Sequence, residues 1–199
     1  MTPDCRAVPA GVRGPDHVLS EIELVTLPTD ELGERLTADL IGMCGRAFRE
    51  PFERPWHAVA PGTHVVALLH GAPVGHALVI EREVEIGIQR PLRLRTAYLE
   101  NVATEPRLQG RGIGSTVMRE AHDLVERNEL GALATASNGF YERLGWVTWR
   151  GPVHVRREGR HERLPGEDGR VMVRATPRGP AILDIEAPIS IEGRAWNAW

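Results

Sequence analysis

A glycine-rich stretch, Gln109-Gly110-Arg111-Gly112-Ile113-Gly114, comes shortly after the mainly apolar run 99–104. This order predicts a strand, a tight turn and then a helix that Gly112 opens. Three glycines in five positions let the backbone approach a ligand closely, because no Cβ stands in the way. The free N–H groups of the first helical turn and the helix dipole favour an anion at that point. We therefore expect a cradle for a diphosphate.

Two common phosphate-binding motifs do not fit this stretch. A Walker A loop ends in Gly-Lys-Ser/Thr, but every basic residue among the 24 Lys and Arg positions of this chain is an arginine. The glycines follow the pattern G-x-G-x-G, whereas a dinucleotide-binding fold carries G-x-G-x-x-G. The lack of lysine also excludes a Schiff-base or lysine-nucleophile mechanism.

The composition is that of one globular domain. The chain has 199 residues, of which 42% are hydrophobic and 26% charged. Its formal net charge of −3 gives no reason to expect nucleic acid or a membrane as a partner. No apolar stretch is long enough to span a bilayer, and no leader pattern opens the chain. Cys5 and Cys44 are too few to frame a disulfide-rich secreted fold, so we expect a cytoplasmic protein.

Hydrophobic periodicity predicts a mixed α/β fold. The pattern indicates strands over 22–27, 63–70, 74–82, 92–104, 132–136, 146–155 and 170–175. It indicates helices over 29–48, with Thr29 as N-cap, and over 112–127 and 139–144, with a proline-enforced loop after the first helix. We expect a mostly antiparallel central sheet with helices on both faces. The predicted organisation is a flexible arm over 1–20, a domain over 21–176, and a tail over 177–199 that closes the substrate site.

A second motif lies downstream, where residues 138–146 read Asn-Gly-Phe-Tyr-Glu-Arg-Leu-Gly-Trp. The glycine stretch resembles the Gln-x-x-Gly-x-Gly coenzyme A loop of the GNAT N-acetyltransferases. The downstream motif resembles that superfamily's short helix, which carries a tyrosine and then Leu-Gly-aromatic. The resemblance implies a GNAT fold and acetyl-CoA as co-substrate, with no metal. The cofactor contacts that it implies fall on Val102, Ala103, Thr104, Gln109, Gly110, Arg111, Gly112, Ile113, Gly114, Ser115 and Asn138.

Acetyl transfer from a thioester to an amine requires that the amine lose a proton and that the departing thiolate gain one. Glu100, on the predicted strand just ahead of the cradle, is placed to act as the base. Tyr141, on the short helix, is placed to act as the acid, since a phenol with a pKa near 10 is protonated at neutral pH. Backbone N–H groups near Val102 are candidates to stabilise the oxyanion.

One branch of the superfamily fits best. Residues 98–103, Tyr-Leu-Glu-Asn-Val-Ala, resemble the Tyr-Val-Glu-Gly-Val-Ala stretch of the aminoglycoside 2′-N-acetyltransferases. This resemblance assigns the base to Glu100 and the acid to Tyr141. It also implies that Asp168, in a Glu-Asp-Gly turn, contacts the aminoglycoside, and that the C-terminal Trp199 lies in the drug site. A homodimer is usual for these relatives.

The chain departs from that branch in its acidic residues. Asn197 stands where the family has an aspartate, and the early loop keeps Phe52 and Trp56 but not its aspartates. Glu53 is the acid that we expect to contact substrate in that loop, with Glu50 near it. Each lost carboxylate removes a charge-assisted contact. We therefore expect a smaller or less cationic aminoglycoside, such as kasugamycin, with antibiotic resistance as the consequence.

Other readings of the same residues stay open. The enzyme could acetylate another small amine or a peptide N-terminus. A non-catalytic module that binds acyl-CoA would keep the glycine loop but would not need both Glu100 and Tyr141. A structural interaction domain would lack affinity for coenzyme A. The four histidines His57, His64, His70 and His76 sit on different predicted elements without ligand spacing, and so do not predict a metal site.

Overall fold

The computed structural model describes residues 18–59, 61–194 and 199. Most of the predicted N-terminal arm, and the candidate substrate residue Asn197, lie outside these residues. The described helices are α1 (Gly33–Phe48), α2 (Glu53–Ala58), α3 (Ile113–Val125) and α4 (Asn138–Glu142). The strands are β1 (Ile22–Pro28), β2 (Thr63–Leu69), β3 (Ala72–Ile86), β4 (Leu92–Thr104), β5 (Leu130–Ala134), β6 (Val147–Thr148), β7 (Val153–Arg157), β8 (Arg160–Arg163), β9 (Val171–Ala175) and β10 (Ile189–Glu192).

These strands form one mixed sheet that branches at β3. The main path runs β6-β9-β5-β4-β3-β10-β7-β8, and β2 joins β1 to the same strand β3. One edge of β3 pairs with β4 along almost its whole length. Its other edge pairs first with β2 and then, further along the strand, with β10. The ladders are antiparallel except for β4–β5 and β10–β7.

The helices cover opposite faces of this sheet. Alternating residues of β2 point to opposite sides: Val65 and Ala67 pack in the cluster that contains α3, whereas Val66 packs in the cluster that contains α1. The apolar stripe of α3 includes the fully buried Val117 and Val125. The expectation of a mostly antiparallel mixed sheet with helices on both faces is confirmed.

Two local predictions near α1 are wrong. Thr29 does not cap α1, which has Leu32 at its N-cap position. The Thr29 hydroxyl instead accepts a hydrogen bond from the Gly62 amide at 2.9 Å and contacts His64 at 3.0 Å. The proline-rich segment that we expected to be a loop contains α2. Proline in the first turn of a helix is tolerated, because the N–H that it lacks has no partner there in any case.

The predicted strand over 146–155 is two strands, β6 and β7, on different branches of the sheet. Gly151 and Pro152 separate them. A Cβ at Gly151 would lie 1.9 Å from the Ala187 carbonyl oxygen, so the backbones touch here. The indole of the buried Trp149 donates to that same carbonyl at 2.9 Å. Close contact with the later segment therefore diverts the chain.

The predicted tail contributes a strand of the sheet. β10 lies between β3 and β7 and pairs with both. Its residues Ile189 and Ile191 are fully buried. Burial of these two side chains joins the C-terminal segment to the main apolar core.

Candidate active site

A separation of β4 from β5 creates the central cleft. The two strands pair in parallel only at 96–98 against 130–132, although β4 continues to Thr104 and β5 to Ala134. Beyond this short ladder the strands diverge, and residues of both line one cavity. The backbone of the second half of β4 is thus available to a ligand that lies between the strands as a further strand would.

A β-bulge shapes β4 at this point. Its register against β3 shifts between the pairs His76–Ala103 and Leu78–Glu100, which leaves one extra residue on β4. Asn101 in this bulge has a φ of 53°. Asparagine tolerates this left-handed conformation better than most residues. The bulge therefore turns the backbone between Glu100 and Val102 where the cleft begins.

The glycine stretch forms the turn into α3. Gly110 and Gly112 have φ values of 76° and 86°, which favour glycine, and Gly112 is the N-cap of α3. Within the described part of the chain, no side chain caps this helix. A Cβ at Gly114 would lie 3.1 Å from Thr104 Oγ1, so a larger residue would crowd the end of β4. Residues 112–115 of the first turn line the cleft, as expected of an anion site at a helix N-terminus.

The cleft has a volume of about 1050 Å³ and joins the cradle to the acid and base candidates. The structure brings most of the predicted site residues into its lining: Glu100, Val102, Ala103, Thr104, Gln109, Gly110, Gly112, Ile113, Gly114, Ser115, Tyr141 and Trp199. The expected acid, base and cofactor positions therefore share one cavity.

Four predicted site residues do not line this cleft: Arg111, Asn138, Glu53 and Asp168. The Asn138 side-chain amide donates to Thr148 Oγ1 at 2.9 Å and to the Gly169 carbonyl at 2.8 Å. These bonds tie the start of α4 to β6 and to the turn before β9. In this structure Asn138 supports the wall of the cleft from behind.

Asp168 already has partners within the protein. Its carboxylate is ion-paired with Arg163 and accepts a hydrogen bond from the Val153 amide at 3.2 Å. The hydrogen bond from Arg163 is the main cause that holds the pKa of Asp168 below its ordinary value. The turn that contains Asp168 is thus fastened to β7 and β8.

Tyr141 lies at the inner end of the cleft, on α4. Its ring packs edge-on against Phe140 and Trp146, with centroid distances of 4.9 and 6.3 Å. Burial raises the pKa of the phenol to about 12, because the charged form is disfavoured away from water. Tyr141 therefore keeps its proton throughout the physiological range and can donate it to a departing thiolate.

Glu100 lies among arginines. Its carboxylate is ion-paired with Arg194, which follows β10, and both side chains are mostly buried. Arg82 lies over the ring of Tyr98, with 5.2 Å from its guanidinium carbon to the ring centroid. Burial and, next, the neighbouring Arg194 lower the pKa of Arg82 to about 10. The base candidate therefore stands in a partly desolvated cluster of positive charge.

Trp199 docks beside this cluster. It is 4% exposed, and its indole donates to the His154 carbonyl at 3.0 Å. Its ring lies 6.2 Å from that of Tyr98, between centroids. The last residue of the chain is thus fixed against β7 and β4 at the edge of the cleft.

Several lining residues were not among the predicted site residues, although Glu50 was named as an acid near Glu53. Glu50 lines the cleft on the α1–α2 side, and Arg143 and Arg170 line it near α4 and β9. Arginines here are suited to bind phosphate oxygens. Arg143 belongs to the downstream motif itself, so its position after Tyr141 was a usable signal. Nothing local marks Arg170.

The fold and the cleft define an acetyltransferase of the GNAT class, and the chain belongs to that family: residues 30–146 match the family model described as Acetyltransferase (GNAT) family. The chain is 31% identical to an aminoglycoside 2′-N-acetyltransferase of Mycolicibacterium fortuitum, over 96% of this chain and 97% of that protein.

Solved structures agree in fold. The GNAT family N-acetyltransferase YhbS of Escherichia coli, in complex with CoA, superposes with a TM-score of 0.59 and is 13% identical, covering 85% of this chain and 90% of that one. Eis1 from Mycobacterium abscessus superposes with a TM-score of 0.52 and is 17% identical. That match covers 67% of this chain but only 32% of Eis1, so the chain spans about a third of that protein's length.

The described residues contain no group of three or more His, Cys, Asp or Glu residues that could hold a metal ion. No described helix combines the length and the apolar character needed to cross a bilayer.

Proposed function

We propose that this protein transfers the acetyl group of acetyl-CoA to the 2′-amine of an aminoglycoside of low positive charge, such as kasugamycin. The observation that carries the proposal is the single cleft that joins the glycine cradle to Glu100 and Tyr141. The full-length likeness to an aminoglycoside 2′-N-acetyltransferase supports the choice of acceptor. Loss of the free amine from the antibiotic would make the host resistant.

The proposed reaction is a direct transfer in a ternary complex. The cradle at 109–115 holds the diphosphate, and Val102 and Ala103 bind the pantetheine arm by their backbones. Glu100 takes the proton of the amine, directly or through a water, and Tyr141 returns a proton to the sulfur. The C–N bond of the amide forms as the C–S bond of the thioester breaks, so free coenzyme A leaves with its thiol protonated.

The charge distribution supports an acceptor with few positive charges. A polycationic drug needs free carboxylates, but Glu100 is paired with Arg194 and Asp168 with Arg163. Glu53, on the first turn of α2, does not line the cleft. Besides Glu100, the cleft lining contains the acidic residue Glu50. The base candidate Glu100 and one expected substrate carboxylate, Asp168, are thus already paired with arginines within the protein.

The deciding experiment measures thiol release from acetyl-CoA with a panel of acceptors. The panel contains kasugamycin, kanamycin-type aminoglycosides, small primary amines and a peptide with a free N-terminus. We expect turnover with kasugamycin or a similarly charged aminoglycoside, and NMR of the product should place the acetyl group on the 2′-amine. Equal turnover of kanamycin-type drugs without activity on kasugamycin would contradict the proposed charge preference.

Silence across the aminoglycosides would overturn the proposed acceptor. Turnover of a small amine or of the peptide would then identify the alternative substrate, whereas CoA binding without any turnover would indicate a sensing module. The cytoplasmic location and the homodimer stay predictions, and they require fractionation and light scattering.

A further inference from the structure

Two buried histidines form a hydrogen-bonded chain that ends at the bulge of β4. His64 on β2 and His76 on β3 are 2% and 0% exposed. His64 Nδ1 lies 2.8 Å from His76 Nε2, and His76 Nδ1 lies 2.8 Å from the Asn101 carbonyl oxygen. Thr29 Oγ1 lies 3.0 Å from His64 Nε2 at the other end. The four residues connect the turn before α1 to the active-site strand β4.

The Asn101 carbonyl determines the direction of the two hydrogen bonds that His76 makes. A carbonyl oxygen can only accept, so His76 carries its proton on Nδ1 and accepts at Nε2. His64 must then donate from Nδ1, which leaves its own Nε2 as an acceptor 3.0 Å from Thr29 Oγ1. The same hydroxyl also lies within donating distance of the Gly62 carbonyl, at 3.1 Å. The Gly62 amide donates to Thr29 Oγ1 at 2.9 Å and completes the series.

The surroundings keep both imidazoles neutral. Burial lowers the pKa of His64 to about 4. Burial and then the neighbouring His64 lower the pKa of His76 to about 3. The Trp56 ring covers the pair, with centroid distances of 5.3 Å to His64 and 5.4 Å to His76. A second proton on His76 would place its Nε2–H against the Nδ1–H of His64 across the 2.8 Å contact. This series of hydrogen bonds therefore forms only when both imidazoles are neutral.

We propose that His64 and His76 are positioning residues, which fix the bulged backbone of β4 for acetyl transfer. His76 holds the carbonyl of Asn101, whose neighbours Glu100 and Val102 line the cleft. The left-handed φ of 53° at Asn101 is an uncommon conformation, and the bond from His76 on the neighbouring strand β3 holds it. This proposal rests on the proposed function, in which the backbones of Val102 and Ala103 bind the pantetheine arm.

Asparagine and glutamine variants test the direction of the hydrogen bonds that His64 and His76 make. The amide nitrogen of asparagine replaces the Nδ1 donor of histidine, whereas that of glutamine replaces Nε2. His76→Asn should therefore keep kcat within about threefold, and His76→Gln should lose roughly ten- to a hundredfold, as for a small misplacement of reacting groups. The same order, Asn above Gln, should hold at His64. The affinity for CoA and the melting temperature should be similar within each pair, since the cradle is untouched.

Two readouts do not depend on the acceptor. In 15N NMR of the wild-type histidines at pH 7, both buried imidazoles should carry their proton on Nδ1, and an Nε2 proton on either one would overturn the proposal. Binding of acetyl-CoA should shift the backbone amide signals of 101–103 in the same pattern in the wild type and in His76→Asn, and in a different pattern in His76→Gln. Equal behaviour of the two variants, or losses of kcat that only follow the melting temperature, would reduce the pair to a structural role.

This design separates the inference from the proposed function. If the wild type does not acetylate any aminoglycoside, the proposed acceptor fails, while the NMR measurements still test the histidine chain. If the aminoglycosides react but the Asn and Gln variants do not differ, the histidine proposal fails alone.

Discussion

The side chain of Arg194 forms an ion pair with Glu100, which precedes it by 94 residues. Arg194 follows β10, so insertion of this strand into the sheet brings a C-terminal cation to the base candidate of β4. A cationic acceptor that approaches Glu100 has to compete with this guanidinium. The contact therefore links the course of the C-terminal segment to the choice of substrate.

Replacement of Arg194 should improve binding of cationic acceptors. Arg194→Gln should lower the KM for a kanamycin-type drug by roughly fivefold, since one screened charge contact is worth about 1 kcal/mol. The KM for acetyl-CoA should not change. Arg150→Gln, which breaks an exposed pair with Glu186 outside the cleft, is the control. A lower kcat at unchanged KM would instead indicate that Arg194 orients Glu100.

Removal of the Tyr141 hydroxyl should slow the chemical step. Tyr141→Phe should lower kcat by roughly ten- to a thousandfold, the usual size of general acid catalysis, while the Kd for CoA stays near the wild-type value. Tyr98→Phe is a matched control, because Tyr98 is also buried with a raised pKa and lines the same cleft. Equal losses in both variants would remove Tyr141 from the acid role.

Glu100 should account for the acidic limb of the rate profile. Glu100→Gln removes the group whose protonation stops the reaction, so kcat/KM should fall at neutral pH and lose this limb. Glu105→Gln is the control, since Glu105 pairs with Arg46 and does not line the cleft. An unchanged limb in Glu100→Gln would require another base.

Short-range patterns predicted the elements that carry the chemistry. The bounds 92–104 of β4 agree with the structure, and α3 is three residues shorter than expected, with Gly112 as its cap. β10 was missed because its four residues take their stability from partners far away in the sequence. Local patterns do not reveal such pairings, and for the same reason they did not show where Arg194 lies.

The contact between His64 and His76 was not predicted, although the sequence contains a pattern that indicates it. His64 and His76 flank the β2–β3 turn, and Val66 pairs with His76, so His64 lies two residues away on the same face. If the cross-strand pairs of the predicted hairpin were known, they would place both imidazole rings on the same face of the sheet. The carbonyl that they hold belongs to a bulge, which alternation of side chains does not predict.

Asn101 should tolerate glycine better than alanine. The related family stretch has glycine at this position, and a left-handed φ costs an ordinary residue roughly 1–2 kcal/mol. Both variants lose the same side-chain amide, so they form a matched pair. Asn101→Ala should unfold at lower urea concentration than Asn101→Gly, with a difference of about 1 kcal/mol in the free energy of unfolding. Equal stability, or a more stable alanine variant, would show that the bulge does not require this conformation.

Acid should destabilise the fold through the two buried histidines. Their folded pKa values, about 4 for His64 and about 3 for His76, lie below the ordinary value of 6.5. The unfolded chain therefore binds more protons below pH 6.5, and the free energy of unfolding falls as the pH drops toward 4, by up to about 1.4 kcal/mol per pH unit for each histidine. Urea unfolding at pH 7.5, 6 and 5 measures this slope. His76→Asn should reduce it, while His122, whose pKa burial also lowers to about 4, contributes equally to both proteins. An unchanged slope in His76→Asn would show that His76 does not titrate on unfolding in this range.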